Sequence, residues 1–160
     1  MSDEQFIRPE PVIVNLSPLG FHKYASDFLR AAASVEMNDS FTPVPYYLCC
    51  HSLELILKAF LLAKGVALGD LKRNNLGHDL ISILRLARNL GLHDFVLVTP
   101  IQENEIRKAN DYYKIPLKGF EYFRVTRLIS GYPDLPKISI LTEVSQNMIQ
   151  GLEELCLNAV

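Results

Sequence analysis

A disulfide framework, a structural zinc site and a grip on duplex nucleic acid all lie beyond the resources of this 160-residue chain. There are three cysteines, and the adjacent pair Cys49 and Cys50 would point about 100° apart on a helix of 3.6 residues per turn. With Cys156 they read as buried apolar residues. No two cysteines have zinc-knuckle spacing, and the four histidines, His22, His51, His78 and His93, stand singly, so neither a metal nor a cofactor is expected. Sixteen Lys and Arg against 18 Asp and Glu leave a net charge of -2. Without a basic excess, phosphate neutralisation cannot hold duplex DNA, and any nucleic-acid contact must be local. The longest apolar stretch, Leu53 to Leu68, is broken by Glu54, Lys58 and Lys64. Those charges are expensive in hydrocarbon, so this is a core helix and no membrane is expected. The beginning, Met1-Ser2-Asp3-Glu4-Gln5, is acidic and polar where a secretory signal is basic and then apolar, which points to the cytoplasm.

What the chain does have is a 49% apolar content, enough for one core, and a helical rhythm. Residues 1–17, with Pro9 and Pro11, read as an extended arm, and 18–160 as a single helical domain. Ser17-Pro18 supplies a cap and a first-turn proline for a helix reaching about Met37, with Phe21, Tyr24, Ala25, Phe28, Leu29 and Ala32 inward. Tyr46 to Lys64 is apolar nearly all round, as a central helix is, and Gly65 ends it. Asp79 to Leu90 repeats at helical spacing until Gly91. Thr99-Pro100-Ile101-Gln102 is a capping box opening a helix to about Tyr113. Its charged stretch, Gln102 to Asp111, reads as a solvated face. A last helix over Ile140 to Leu157 presents Leu141, Val144, Met148, Leu152, Leu155 and Cys156 to the core. Between them Phe120 to Ile129 is aromatic and β-branched, a strand or an extended loop. Arg124 and Arg127 beside Tyr122 and Phe123 either stack on a base or flank an edge strand.

Cys50-His51-Ser52-Leu53-Glu54-Leu55-Ile56-Leu57-Lys58-Ala59, running to Gly65, then Gly77-His78-Asp79-Leu80 and later Gly131-Tyr132-Pro133-Asp134, resembles the HEPN superfamily of small helical bundles. The resemblance covers about Tyr46 to Asp134. It implies an all-α, up-and-down bundle of four or five helices, beside which the residues themselves leave a short β hairpin or extended loop as an option near 119–137. It also implies a homodimer of a toxin-antitoxin or defence-type system, often beside a nucleotidyltransferase-like partner. Active members are metal-independent ribonucleases carrying an arginine, four to six residues, then a histidine.

Two stretches have that spacing, Arg73 to His78 and Arg88 to His93. Histidine titrates near neutrality and serves as general base or acid, while arginine offers a charged planar fork to phosphate oxygens. Together they suit attack by a ribose 2′-hydroxyl on its own phosphate, leaving 2′,3′-cyclic ends. Arg73 and His78 are the preferred pair, because His78 opens a helix and Lys72, Asn74 and Asn75 share its loop. Arg88 and His93 straddle a helix end, where the dipole repels anions.

Blander roles stand beside these. His78-Asp79-Leu80 also reads as a helix-entry cap, through imidazole or carboxylate. Glu54 and Lys58, four apart, suit an intrahelical ion pair, partly buried and either structural or functional, which His51 could join. The leading expectation is an RNA- or nucleotide-associated binding and assembly module using Glu54, Lys58, His51, Asn74, Arg73 and His78. The alternatives are the endoribonuclease and a purely structural partner of a nucleotidyltransferase-like protein.

Overall fold

The protein is seen as a computed structural model that describes residues 10–38, 40–72, 76–114, 119–120 and 132–159. Among these residues there are five α-helices and no strand: α1 Pro18–Ser34, α2 Val44–Ala63, α3 Leu80–Asn89, α4 Pro100–Tyr113 and α5 Ile138–Asn158. The fold is an all-α bundle. α2 packs against each of the other four, and the outer helices follow one another around it in the order α1, α5, α4, α3.

Local signals set the ends. Ser17 caps α1 by accepting from Gly20 N–H at 3.2 Å, and α1 stops at Ser34, short of Met37. Its buried stripe finishes at Ala32, so no packing holds another turn. Residues 10–16 run without regular structure, with Val12 and Ile13 exposed. Asn15 N–H donates to Tyr24 Oη at 3.1 Å, and the arm crosses so near α1 that a Cβ at Gly20 would lie 2.1 Å from the Asn15 carbonyl oxygen. α2 closes with Gly65 at φ +87°, where Gly65 N–H reaches Leu62 O and Val66 N–H reaches Leu61 O, the paired bonds of a Schellman ending. Gly91 ends α3 at φ +89°, its N–H reaching Arg88 O at 3.1 Å. α4 starts at the expected capping box, with both reciprocal bonds between Thr99 and Gln102 present.

The core is built around α2, where Leu53, Ile56, Leu57 and Phe60 are fully buried, joined by Leu80 and Ile83 from α3, Ile106 from α4 and Leu141, Val144 and Met148 from α5. Cys49, Cys50 and Cys156 are free thiols inside it. By length and composition α2 is also the one helix among the described residues able to cross a membrane, yet 67% of its apolar window is buried in the bundle.

The charged stretch of α4 departs from expectation. Gln102, Glu105 and Asn110 are buried rather than solvated, because α4 is wedged among α2, α3 and α5. Each polar group satisfies a neighbouring element. Glu105 Oε2 accepts from Lys137 N–H at 2.6 Å, supplying the acceptor that the start of α5 lacks in its own sequence. The Phe120 to Ile129 segment lies outside the described residues except for Phe120, which is buried against Tyr46, Tyr112 and Tyr132.

Candidate functional site

Glu54 sits on the inward face of α2 with its side chain 4% exposed. Such a carboxylate needs partners from every direction, and it has them. Lys58 Nζ, one turn on, donates to Oε1 at 2.5 Å. Tyr113 Oη, from the last turn of α4, donates to Oε2 at 2.5 Å, and His78 Nδ1, at the entry to α3, lies 2.9 Å from the same oxygen. Burial alone would push the Glu54 carboxyl up. The Lys58 charge and the bonds from Lys58, Tyr113 and His78 reverse that and hold it below the usual range. The phenol of Tyr113 moves the other way, raised well above its ordinary value by burial and by the Glu54 charge.

The network extends at both ends. Lys58 Nζ also donates to the Gly77 carbonyl at 2.7 Å, tying the turn before α3 to α2. His51 Nδ1 meets Tyr113 Oη at 2.9 Å, with its ring edge-on to Phe28 at 4.4 Å and stacked with Tyr47 at 6.0 Å. The His51 ring therefore joins the cluster chiefly through Tyr113, since its own distance to Glu54 Oε2 is 3.8 Å. Of the members, His78 reaches furthest into solvent, its side chain 44% exposed and its ring edge-on to Tyr113.

The helix-entry role expected of the His78-Asp79 pair falls to Asp79 alone. Its Oδ1 accepts from Ser82 N–H at 3.1 Å and from Asn110 Nδ2 at 3.1 Å, while Asn110 Oδ1 accepts from Leu80 N–H at 2.8 Å. With the first turn of α3 capped in this way, the His78 ring turns inward to Glu54. Lys114 Nζ stands 3.6 Å from Asp79 Oδ2 and adds a cation at this edge.

Of the residues singled out from sequence, His51, Glu54, Lys58 and His78 are thus brought together, whereas Arg73 and Asn74 lie outside the described residues. In the second arginine-histidine pair, Arg88 Nη1 is bound to Glu103 Oε2 at 2.6 Å, and His93 is exposed beside Asp94 at 3.3 Å. Tyr113 and Asn110 were missed as members of the site. The helical spacing of Ile106, Ala109, Asn110 and Tyr113 was the one local signal available, and their partners are 59 and 30 residues away in sequence. Among the described residues no group of three His, Cys, Asp or Glu side chains is placed to hold a metal ion.

Chemically, the arrangement offers a buried anion fully engaged by donors and one imidazole carried on it at the surface. Comparison with protein-family models, curated proteins and solved structures returns no match for this chain.

Proposed function

We propose that the chain is a HEPN-like, RNA- or nucleotide-associated binding and assembly module of a cytoplasmic toxin-antitoxin or defence-type system, working as a homodimer. The observation that carries this reading is the Glu54 cluster. Lys58, Tyr113 and Glu54 satisfy one another inside the bundle, so they act as a scaffold. The ligand-facing group is His78, with Arg73, five residues before it in sequence, as the phosphate-binding cation. A nucleotidyltransferase-like protein is the partner the resemblance implies.

The second reading, a metal-independent endoribonuclease, is favoured by one further feature: a histidine backed by a buried carboxylate is the arrangement that general bases use. In it His78 moves the 2′-hydroxyl proton and Arg73 stabilises the phosphate. A pool of labelled single-stranded RNA, incubated in EDTA with wild type, His78→Ala and Arg73→Ala, separates the two. Binding weakened at least several-fold in both variants, with intact RNA, is the expected result. Cleavage to 2′,3′-cyclic phosphate ends, lost in both variants, would move the assignment to the nuclease. RNA that neither binds nor breaks would overturn both.

A further inference from the structure

We infer that Glu54 is a positioning residue that fixes the tautomer of His78, making its Nε2 an outward hydrogen-bond acceptor suited to a ribose hydroxyl rather than to a phosphate oxygen. This rests on the reading of His78 as the ligand-facing group. The argument is a count of protons. Glu54 is ionised, held so by Lys58, and a carboxylate only accepts. Both contacts on Oε2 must then be donated to it, so a neutral His78 carries its proton on Nδ1. Nε2 is left with its lone pair, and it has no partner among the described residues.

The neighbouring imidazole obeys the same count. Tyr113 gives its single hydroxyl proton to Glu54, so its oxygen can only accept from His51 Nδ1. One carboxylate therefore sets the proton position on two histidine rings, directly for His78 and through Tyr113 for His51. The other charged groups beside His78 among the described residues leave this intact: Lys58 is engaged on Glu54 Oε1 and Gly77 O, while Asp79 is occupied by Ser82, Asn110 and Lys114.

An acceptor nitrogen repels a phosphate oxygen and receives a hydroxyl proton. The ribose 2′-hydroxyl is the group by which a protein separates RNA from DNA, so the class of ligand favoured at this edge is a ribonucleotide, its phosphate left to a cation. Glu54→Gln tests this without a large change of shape. Lys58 Nζ should claim the amide oxygen, turning the amide NH2 toward His78 and converting the ring to the Nε2–H form.

The experiment is long-range proton–nitrogen correlation NMR of histidine-labelled protein, at a pH where the rings are neutral, with His78→Ala to assign the signals. The expected result is His78 as the Nδ1–H tautomer in wild type and as the Nε2–H tautomer in Glu54→Gln. A wild-type ring in the Nε2–H form, or averaging between the two, would overturn the inference with no variant needed. The second arm compares ribo- and deoxyribo-oligonucleotides of one sequence. Wild type should prefer the ribose form at least several-fold and Glu54→Gln should lose that preference. If the tautomer is as stated but no ribose preference exists, the ligand assignment fails while the positioning stands. If no oligonucleotide binds at all, the failure belongs to the RNA reading.

Discussion

Lys58 is the residue on which the buried cluster most depends, because among the described residues it alone brings both a lysine or arginine charge to Glu54 and a donor to the Gly77 carbonyl. Removing one member of a buried ion pair leaves the other uncompensated, a loss of about 3–5 kcal/mol. Lys58→Met is therefore expected to lower stability by that order at pH 7, measured by urea unfolding. The pH dependence has a definite sign. In wild type the Glu54 carboxyl is depressed by folding, so its contribution is present above the ordinary carboxylate range, near pH 4, and fades as pH falls through the lower folded value. In Lys58→Met burial is opposed only by the bonds from Tyr113 and His78, so the carboxyl titrates higher than in wild type and the variant gains relative to wild type as pH falls from 7 toward 4. A gap that stays constant between pH 7 and pH 5 would show that Glu54 is not the group left unpaired. Sequence gave a partial view at this scale: the four-residue spacing of Glu54 and Lys58 announced the ion pair, whereas nothing local announced Tyr113 or His78 as its completion.

At the scale of the element, α5 carries the clearest test. Gly151 lies in the interior of a helix, where alanine is ordinarily better by about 1 kcal/mol. Yet a Cβ there would lie 2.8 Å from the Phe95 carbonyl oxygen and 3.4 Å from Val96 Cβ, because the segment after α3 crosses α5 at this point. Backbone cannot yield as a flexible side chain does, so overpacking costing about 1–3 kcal/mol outweighs the gain in propensity. Gly151→Ala is expected to unfold at lower urea concentration than wild type. A stabilised variant would mean that the crossing is looser than the structure has it. Helix ends were the most legible elements in the chain, since Ser17, Thr99 and Gln102, Gly65 and Gly91 act through bonds within a few residues of themselves. The burial of Glu105 was not legible, because its acceptor role is set by Lys137, the residue that leads into α5.

For the molecule as a whole, α2 touches all four other helices, so the bundle is expected to unfold as one cooperative unit. Phe60 is fully buried on it, its ring 5.9 Å edge-on from Phe95 and carrying the Lys64 ammonium above one face. Phe60→Ala should cost about 3–5 kcal/mol, and the loss should move one transition rather than split it. Coincident far-ultraviolet circular dichroism and tyrosine fluorescence melts would bear this out, and a plateau in either would mean that part of the bundle folds separately. By itself the sequence determined the all-helical class, the helix ends marked by a cap, a proline or a glycine, and the apolar faces, because periodicity and capping act over one or two turns. Only the tertiary structure decided which polar residues are buried and which meet. A carboxylate on α2, a tyrosine closing α4 and an imidazole before α3 come within hydrogen-bond distance through packing, and the low polarity of that interior makes their mutual satisfaction obligatory.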